Sequence, residues 1–354
     1  MWSDRRIVDL FGIGHPIIQA PMAGAQGAEM AIAVSAAGGL GSLPCALLTA
    51  DQVRSELQRI RQQTDRPFNL NFFCHQRPAD APDVEARWVR RLQPYRDELG
   101  VGDATVKGGR APFDETACAL VEEFRPRVVS FHFGLPEASL LERVRRAGSL
   151  VLSSATTVAE ARWLDERGVD AIIAQGVEAG GHRGMFLSDD IAGQVGTFAL
   201  VPQVVDAVRV PVIAAGGIGD ARGIAAALTL GASAVQIGTA YLLCPESKIS
   251  PLYRAALKAA DGAQTTLTNV FTGRPARGIF NRAIRELGPM SAEAPAFPNA
   301  ASAMLPLRMK AEAQGSADFT PLWSGQAPRF AREMPAAELT RALVDDMRLL
   351  ARRG

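Results

Sequence analysis

A chain of 354 residues with 47% apolar and 21% charged residues has the composition of a folded globular protein with a sizeable core, built as one large domain plus an extension or as two domains. Its 38 Lys and Arg against 37 Asp and Glu leave a net charge of +1, which argues against nucleic acid or another polyanion as partner. No apolar run reaches the roughly 20 residues that span a bilayer, and the opening "MWSDRRIVDLFGIGHP" lacks the pattern of a signal peptide. Cys45, Cys74, Cys118 and Cys244 are spaced neither as a zinc site nor as a disulfide framework, so reduced thiols in a soluble cytoplasmic protein are expected.

Short apolar runs alternate with helical patterns along the chain. The predicted strands are "PIIQAPM" (16–22), "GGLGSLP" (38–44), "FNLNFF" (68–73), "VVSFHFG" (128–134), "LVLSSAT" (150–156), "AIIAQGV" (171–177), "VPVIAAGG" (210–217) and "AVQIGTAYL" (234–242). Between them, segments such as "ADQVRSELQRIRQQT" and "TVAEARWLDERG" carry helical spacing, and several close on a glycine stop. Eight strand–helix repeats predict an α/β fold, a (β/α)8 TIM barrel. An open doubly wound sheet is the competitor, but no GxGxxG turn follows the first strand. Residues 74–127 are too long for one helix and read as an insertion containing "VKGGRAPF". Residues 1–260 form the predicted barrel, and 261–354 a smaller, mostly helical extension with an irregular, proline-rich first half.

In such barrels the reactive groups sit at the carboxyl ends of the strands. Those ends here carry Gln19, Asn69, Asn71, Gln175 and Gln236, two histidines and several glycine loops. "AAGGIGD" and "QIGT", after strands seven and eight, suit a phosphate cradle, because glycine lets backbone N–H groups approach an anion. Five amides suggest a ligand with many hydrogen-bonding edges, as a flavin has; amides satisfied within the core are the alternative. His132 lies between two phenylalanines, where a core-edge histidine is equally expected. His182 lies among glycines in "QGVEAGGHRG", and a neutral imidazole at a barrel mouth can remove a carbon-bound proton. His15 and His75 read as solvated loop residues, and no grouping has metal-ligand spacing, so no metal is expected.

"PIIQAPMAG", "FNLNFF", "SFHFG", "QGVEAGGHRG", "PVIAAGGIGD" and "AVQIGTAYLLCPES", with "PLWSGQ" further on, together resemble the nitronate monooxygenases, formerly 2-nitropropane dioxygenases, and in particular their class I branch. "EAGGH" alone is shared with flavin-dependent enoyl-acyl carrier protein reductases. The resemblance implies FMN held without a covalent bond by Met22, Asn71, Gln175, Gly180, Gly217, Gln236, Ile237, Gly238 and Thr239. It makes His182 the catalytic base, with His132 beside it, and places the C-terminal segment at the substrate entrance. No tyrosine follows Tyr253, so Phe297 or Phe319 would stand where class I members place tyrosines. The implied reaction is oxidative denitrification of alkyl nitronates, such as propionate 3-nitronate, with O2 through a flavosemiquinone, giving a carbonyl compound and nitrite. An FMN-dependent NAD(P)H reductase of enoyl thioesters or quinones, and a non-catalytic flavin-binding barrel, are the alternatives. Small-molecule partners only, with no nucleic acid or membrane, and a monomer or homodimer are expected.

Overall fold

The computed structural model describes residues 2–102, 105–106 and 110–352. Its first helix, α1 (Arg6–Phe11), precedes the first strand, β1 (Ile17–Gln19). Then follow α2 (Ala28–Ala36), β2 (Gly41–Pro44), α3 (Ala50–Gln63), β3 (Phe68–Phe73), α4 (Pro82–Leu99), α5 (Glu115–Phe124) and β4 (Val128–His132). Next come α6 (Ala138–Arg146), β5 (Leu150–Ala155), α7 (Val158–Glu166), β6 (Ala171–Gln175), the two-residue β7 (Gly181–His182), α8 (Thr197–Ala207), β8 (Val212–Ala215), α9 (Ala221–Thr229) and β9 (Ala234–Ile237). The eight predicted strands pair in parallel in the order β1-β9-β8-β6-β5-β4-β3-β2, and a bridge from Ile18 to Leu40 joins the two ends into a barrel. The fold is a (β/α)8 TIM barrel. The eighth strand is shorter than its sequence run: after Ile237 the chain turns into a 3-10 helix at Thr239–Tyr241.

The period-2 alternation of each strand divides the core in two. Phe68, Leu70 and Phe72 on β3, Val129 and Phe131 on β4, and Ile172 on β6 point outward into the layer beneath the helices. Ile18, Leu40, Val128, Leu152, Ile173 and Ile213 point inward and fill the lower half of the barrel, which Ile7, Val8 and Phe11 of α1 seal from below. Only the upper half of the lumen is left for polar residues. Helix starts are fixed by side chains that occupy the unpaired N–H groups: Thr49 and Gln52 form a capping box on α3, Thr157 caps α7 and Asp220 caps α9.

Two intervals depart from the simple repeat. Within 74–127, α5 takes the ordinary crossover place between α3 and α6, while α4 leaves the barrel. Of "VKGGRAPF", Lys107, Gly108 and Gly109 lie outside the described residues. Beyond the barrel strands come α10 (Pro251–Ala259), the antiparallel pair β10 (Thr265–Thr268) and β11 (Ala276–Ile279), α11 (Arg282–Leu287), α12 (Ala300–Ala313) and α13 (Ala336–Ala351). Trp88 and Leu92 of α4 pack with Met304 and Leu307 of α12 in a core of their own. The amphipathic face of α13, with Leu339 and Leu343 fully buried, docks between α2 and α9. The helix ring is therefore completed from beyond residue 260. Helices dominate this extension, but the hairpin within it reaches back to the barrel mouth. There β11 pairs with β7, setting Ala276 opposite His182 and Arg277 opposite Gly181. No helix among the described residues is long and apolar enough to cross a membrane.

Candidate active site

A cavity of about 360 Å³ opens at the carboxyl ends of the barrel strands, within the size range of small-molecule sites. Asn71, Gln175 and Gln236 enter it from β3, β6 and β9. Asn71 Nδ2 is held by Ser130, through its carbonyl at 3.3 Å and its hydroxyl at 3.0 Å. Gln236 Oε1 is buried and has no hydrogen-bond partner among the described residues, so an acceptor is left waiting for a donor from the lumen. The other two predicted rim amides do not line the cavity, although Asn69 Oδ1 too is buried without a hydrogen-bond partner among the described residues. Asn69 lies one inward step below the cavity, where Nδ2 donates to Ser42 (3.0 Å) and Ser130 (2.9 Å). Gln19 corrects the expectation outright. Ile18 takes the inward place on β1, so Gln19 turns away from the lumen and pairs with Gln26 at 2.6 Å.

Both histidines predicted for the site line the cavity. Gly180 is needed for close approach, since a Cβ there would fall 2.4 Å from the backbone nitrogen of Gly325. Gly181 adopts φ +72, a left-handed conformation that turns the chain into β7. His182 Nε2 then lies 2.9 Å from Thr272 Oγ1, while Nδ1 has no partner among the described residues. Phe297 and Trp323 pack on the imidazole with ring centroids at 5.3 and 5.4 Å. His132 Nε2 is 3.2 Å from the carbonyl oxygen of His182. A carbonyl only accepts, so Nε2 carries the proton and Nδ1 accepts from the Ser154 hydroxyl at 3.1 Å. Both ring nitrogens of His132 are thus occupied. Phe133, the next residue, sits at φ 71, an unusual conformation for a bulky side chain that places its ring 4.5 Å from that of His132.

Burial lowers the proton affinity of both imidazoles. For His132 it does so to about 3 despite the backbone partner. His182 is driven well below its ordinary 6.5, first by burial and then by Arg110, His132, Arg274 and His75. Both are neutral at pH 7. His75, expected in solvent, is buried instead, because its ring packs against that of Phe297 at 4.8 Å and against those of Phe73 and Phe133. His15 is half-buried, with the Trp2 ring at 6.1 Å.

The glycine loops form the far wall. Gly216 and Gly217 take φ +115 and +70, and the N–H groups of Gly217, Gly238 and Thr239 donate to no group among the described residues. These donors suit a phosphate. The α9 N-terminus is not part of this cradle, because Asp220 already caps Gly223 N at 3.0 Å. Behind the loops, the Glu178 carboxylate accepts from the N–H of Thr197 and from its hydroxyl, both at 2.8 Å, which ties the turn after β6 to the start of α8.

The sequence model of the nitronate monooxygenase family matches residues 4–346. This chain belongs to that family. It is 44% identical over 348 residues to a nitronate monooxygenase of Pseudomonas aeruginosa, covering 97% of this chain and 99% of that one. Its structure is similar to a nitroalkane oxidase from Streptomyces ansochromogenes, with a TM-score of 0.90, 41% identity and coverage of 98% and 99%. FabK from Thermotoga maritima is similar at a TM-score of 0.74 and 29% identity, with coverage of 98% and 97%. The chain is a flavin-dependent oxidoreductase.

As a nitronate monooxygenase family member, it gathers Met22, Asn71, Gln175, Gly180, Gly217, Gln236, Gly238 and Thr239 around one cavity. Ile237 is the exception: its side chain is buried in the layer beneath the helices, and its carbonyl is taken by Ala20 N at 2.8 Å. Of the two phenylalanines considered for the tyrosine places, Phe297 packs on His182, whereas Phe319 lies in the α4–α12 core with its ring 5.4 Å from Tyr95. Sequence reasoning missed the cations. Arg110, Lys248 and Arg308 all line the cavity, which has no Asp or Glu among its described lining residues. Lys248 reaches Glu56 at 3.4 Å and Arg308 reaches Glu312 at 2.8 Å. Arg110 makes no ion pair among the described residues, lies 5.7 Å from the Phe297 ring and is lowered to about 10 by burial and by Arg308. It comes from an irregular loop, so no periodicity could have singled it out.

Proposed function

We propose that this protein oxidises alkyl nitronates with O2, using FMN, to a carbonyl compound and nitrite. The observation that carries the reading is the charge of the cavity: Arg110 without an ion pair among the described residues, beside the paired Lys248 and Arg308, with no carboxylate among the described lining residues and a neutral imidazole in the same lining. A nitronate is an anion with charge spread over two oxygens and a carbon, and such a site favours it over a neutral isostere. The waiting Gln236 acceptor and the unpaired N–H groups of Gly217, Gly238 and Thr239 suit a flavin mononucleotide, which Met22, Asn71, Gln175 and Gly180 would help to hold. When bound, FMN supplies the electron acceptor for the substrate and the route from there to O2.

The protein's share is binding, orientation and proton control. Arg110 draws the anion toward the imidazole, and Phe73, Phe297 and Trp323 keep bulk water off it. A hydroxyl can accept as well as donate, and in the tautomer whose Nε2–H donates to Thr272 it is Nδ1 of His182 that takes an α-proton from a neutral nitroalkane. Burial and neighbouring cations make the resulting imidazolium costly, so the proton is held only while the nitronate anion is present.

The test combines a spectrum with oxygen uptake. The purified protein should be yellow, release FMN on denaturation, and consume O2 with ethyl nitronate or propionate 3-nitronate. Under anaerobic conditions NADH should bleach it slowly or not at all. Rapid bleaching by NADH with no nitronate turnover would refute the proposal and favour the reductase.

A further inference from the structure

The residue that follows His182 is an arginine turned away from the cavity. Arg183 is 0% exposed and makes no salt bridge among the described residues. Its guanidinium fans out over backbone: Nη2 donates to the carbonyl of Gln175 at 2.6 Å, Nη1 to that of Gly176 at 2.7 Å, and Nε to Gln194 Oε1 at 2.9 Å. Gln175 makes the reciprocal connection. Its Nε2 donates to the carbonyl of His182 at 3.1 Å, and its Oε1 accepts from Gly184 N at 2.7 Å. The side chain of each residue thus holds the backbone around the other, and the loop between them is closed at its neck. Gln194 passes the connection on, through Thr156 at 3.0 Å, to the buried carboxylate of Glu160, 2.8 Å from the Thr156 hydroxyl. That carboxylate also accepts from Phe186 N at 2.6 Å. A full positive charge in the interior is expensive unless several good acceptors surround it, and a simple packing role would be filled at lower cost by an apolar side chain.

We infer that Arg183 is a positioning residue for the reaction: together with Gln175 it clasps the loop 175–184 and fixes where the imidazole of His182 stands over the cavity. The inference rests on the base role proposed above. Three connections converge on the His182 backbone. Its carbonyl takes Gln175 and His132, and its strand partner is Ala276. The clasp is the only one of the three that comes from within the loop itself. Without it the loop keeps its outer ties, from Val177 to Val195 and Arg277 and from Glu178 to Thr197 and Gln326, but its neck at Gln175 and Gly176 opens and the ring loses its fixed distance to Thr272 and to the substrate. Lysine cannot replace arginine here, because a single ammonium does not span two carbonyls and a side-chain amide in one plane.

The experiment uses the flavin-loaded protein and the variants Arg183→Met, Arg183→Lys and Gln194→Leu, with His182→Asn as reference. In protein labelled with ¹⁵N-histidine, the His182 signals, assigned by their absence in His182→Asn, should show one protonated and one bare ring nitrogen. In Arg183→Met and Arg183→Lys the two should move toward a common averaged shift, while flavin content stays unchanged. Turnover of neutral nitroethane should fall on the order of 10²-fold, the scale of an ångström-size misplacement, with KM for ethyl nitronate held within about threefold. Gln194→Leu removes only the Nε acceptor and should shift both readouts in the same direction, by less; it also decides the matter if Arg183→Met does not fold. A wild-type imidazole spectrum in the folded Arg183 variants, or in Gln194→Leu if those do not fold, would overturn the inference. Equal losses on both substrates accompanied by loss of flavin would overturn it too. Failure of the base role itself shows elsewhere, as equal losses on both substrates in His182→Asn.

Discussion

Gly180→Ala offers a test in which the coordinates set the magnitude. An added Cβ would lie 2.4 Å from Gly325 N and 2.6 Å from the carbonyl carbon of Ser324, against 3.4 Å for ordinary contact. Both obstacles are backbone, so no rotamer change relieves them. The β7 segment and the Ser324–Gly325 turn must separate by about 1 Å, and a misplacement of that size costs on the order of 10²-fold in rate. Overpacking of this kind also costs about 1–3 kcal/mol of stability. Gly181→Ala is the matched control. Its Cβ meets nothing within 4 Å, but φ is +72, so the cost is about 1–2 kcal/mol of backbone strain with little displacement. Thermal unfolding, flavin content and kcat on ethyl nitronate should therefore separate the two: similar destabilisation, but a large loss of kcat in Gly180→Ala alone. Wild-type kcat and flavin content in Gly180→Ala would refute the view that close approach at this glycine sets the position of His182.

Other consequences are open to simpler assays. Arg110→Met should raise KM for nitronates about tenfold or more, read from oxygen uptake, while leaving unfolding stability unchanged or higher because a buried guanidinium without an ion pair is removed. Glu178→Ala releases the Thr197 N–H and hydroxyl and loosens the turn beside Gly216; FMN affinity, followed by the recovery of free-flavin fluorescence, should fall about tenfold. His132 gives a pH dependence whose sign is fixed. Its folded value of about 3 lies below the ordinary 6.5, so between those limits the unfolded chain binds a proton that the folded one refuses. Stability should thus fall as pH drops from about 6.5 toward 3, by about 1.4 kcal/mol per unit for one proton, and hold steady above 6.5 as far as this group is concerned. Urea unfolding at pH 7 and pH 5 should show a smaller difference in His132→Gln than in wild type.

The division between what the sequence reveals and what it hides follows from the range of the interactions. Eight strands could be counted because burial on both faces demands a short continuous apolar run, and that demand is local. The glycines of "QGVEAGGHRG" and "AAGGIGD" were legible for the same reason, since a left-handed turn or a close backbone approach leaves its mark on the residue that makes it. Inward or outward placement on a three-residue strand leaves no such mark. On β1 the choice between Ile18 and Gln19 is made by the apolar lower lumen, which takes the isoleucine. His75 was misread because its burial depends on Phe297, more than two hundred residues away. Arg110 escaped notice for a related reason: its significance is that no carboxylate occurs among the described residues lining the cavity, which only the assembled cavity exhibits. The pairing of β11 with β7 carries this furthest. Two residues of strand acquire a partner from the extension, and that partner sets the register of His182. A glycine-rich loop does not hold a side chain in place by its own backbone preferences. The imidazole is therefore held from two sides: the hairpin and His132 reach its backbone from distant parts of the chain, and Gln175 and Arg183 close the loop from within.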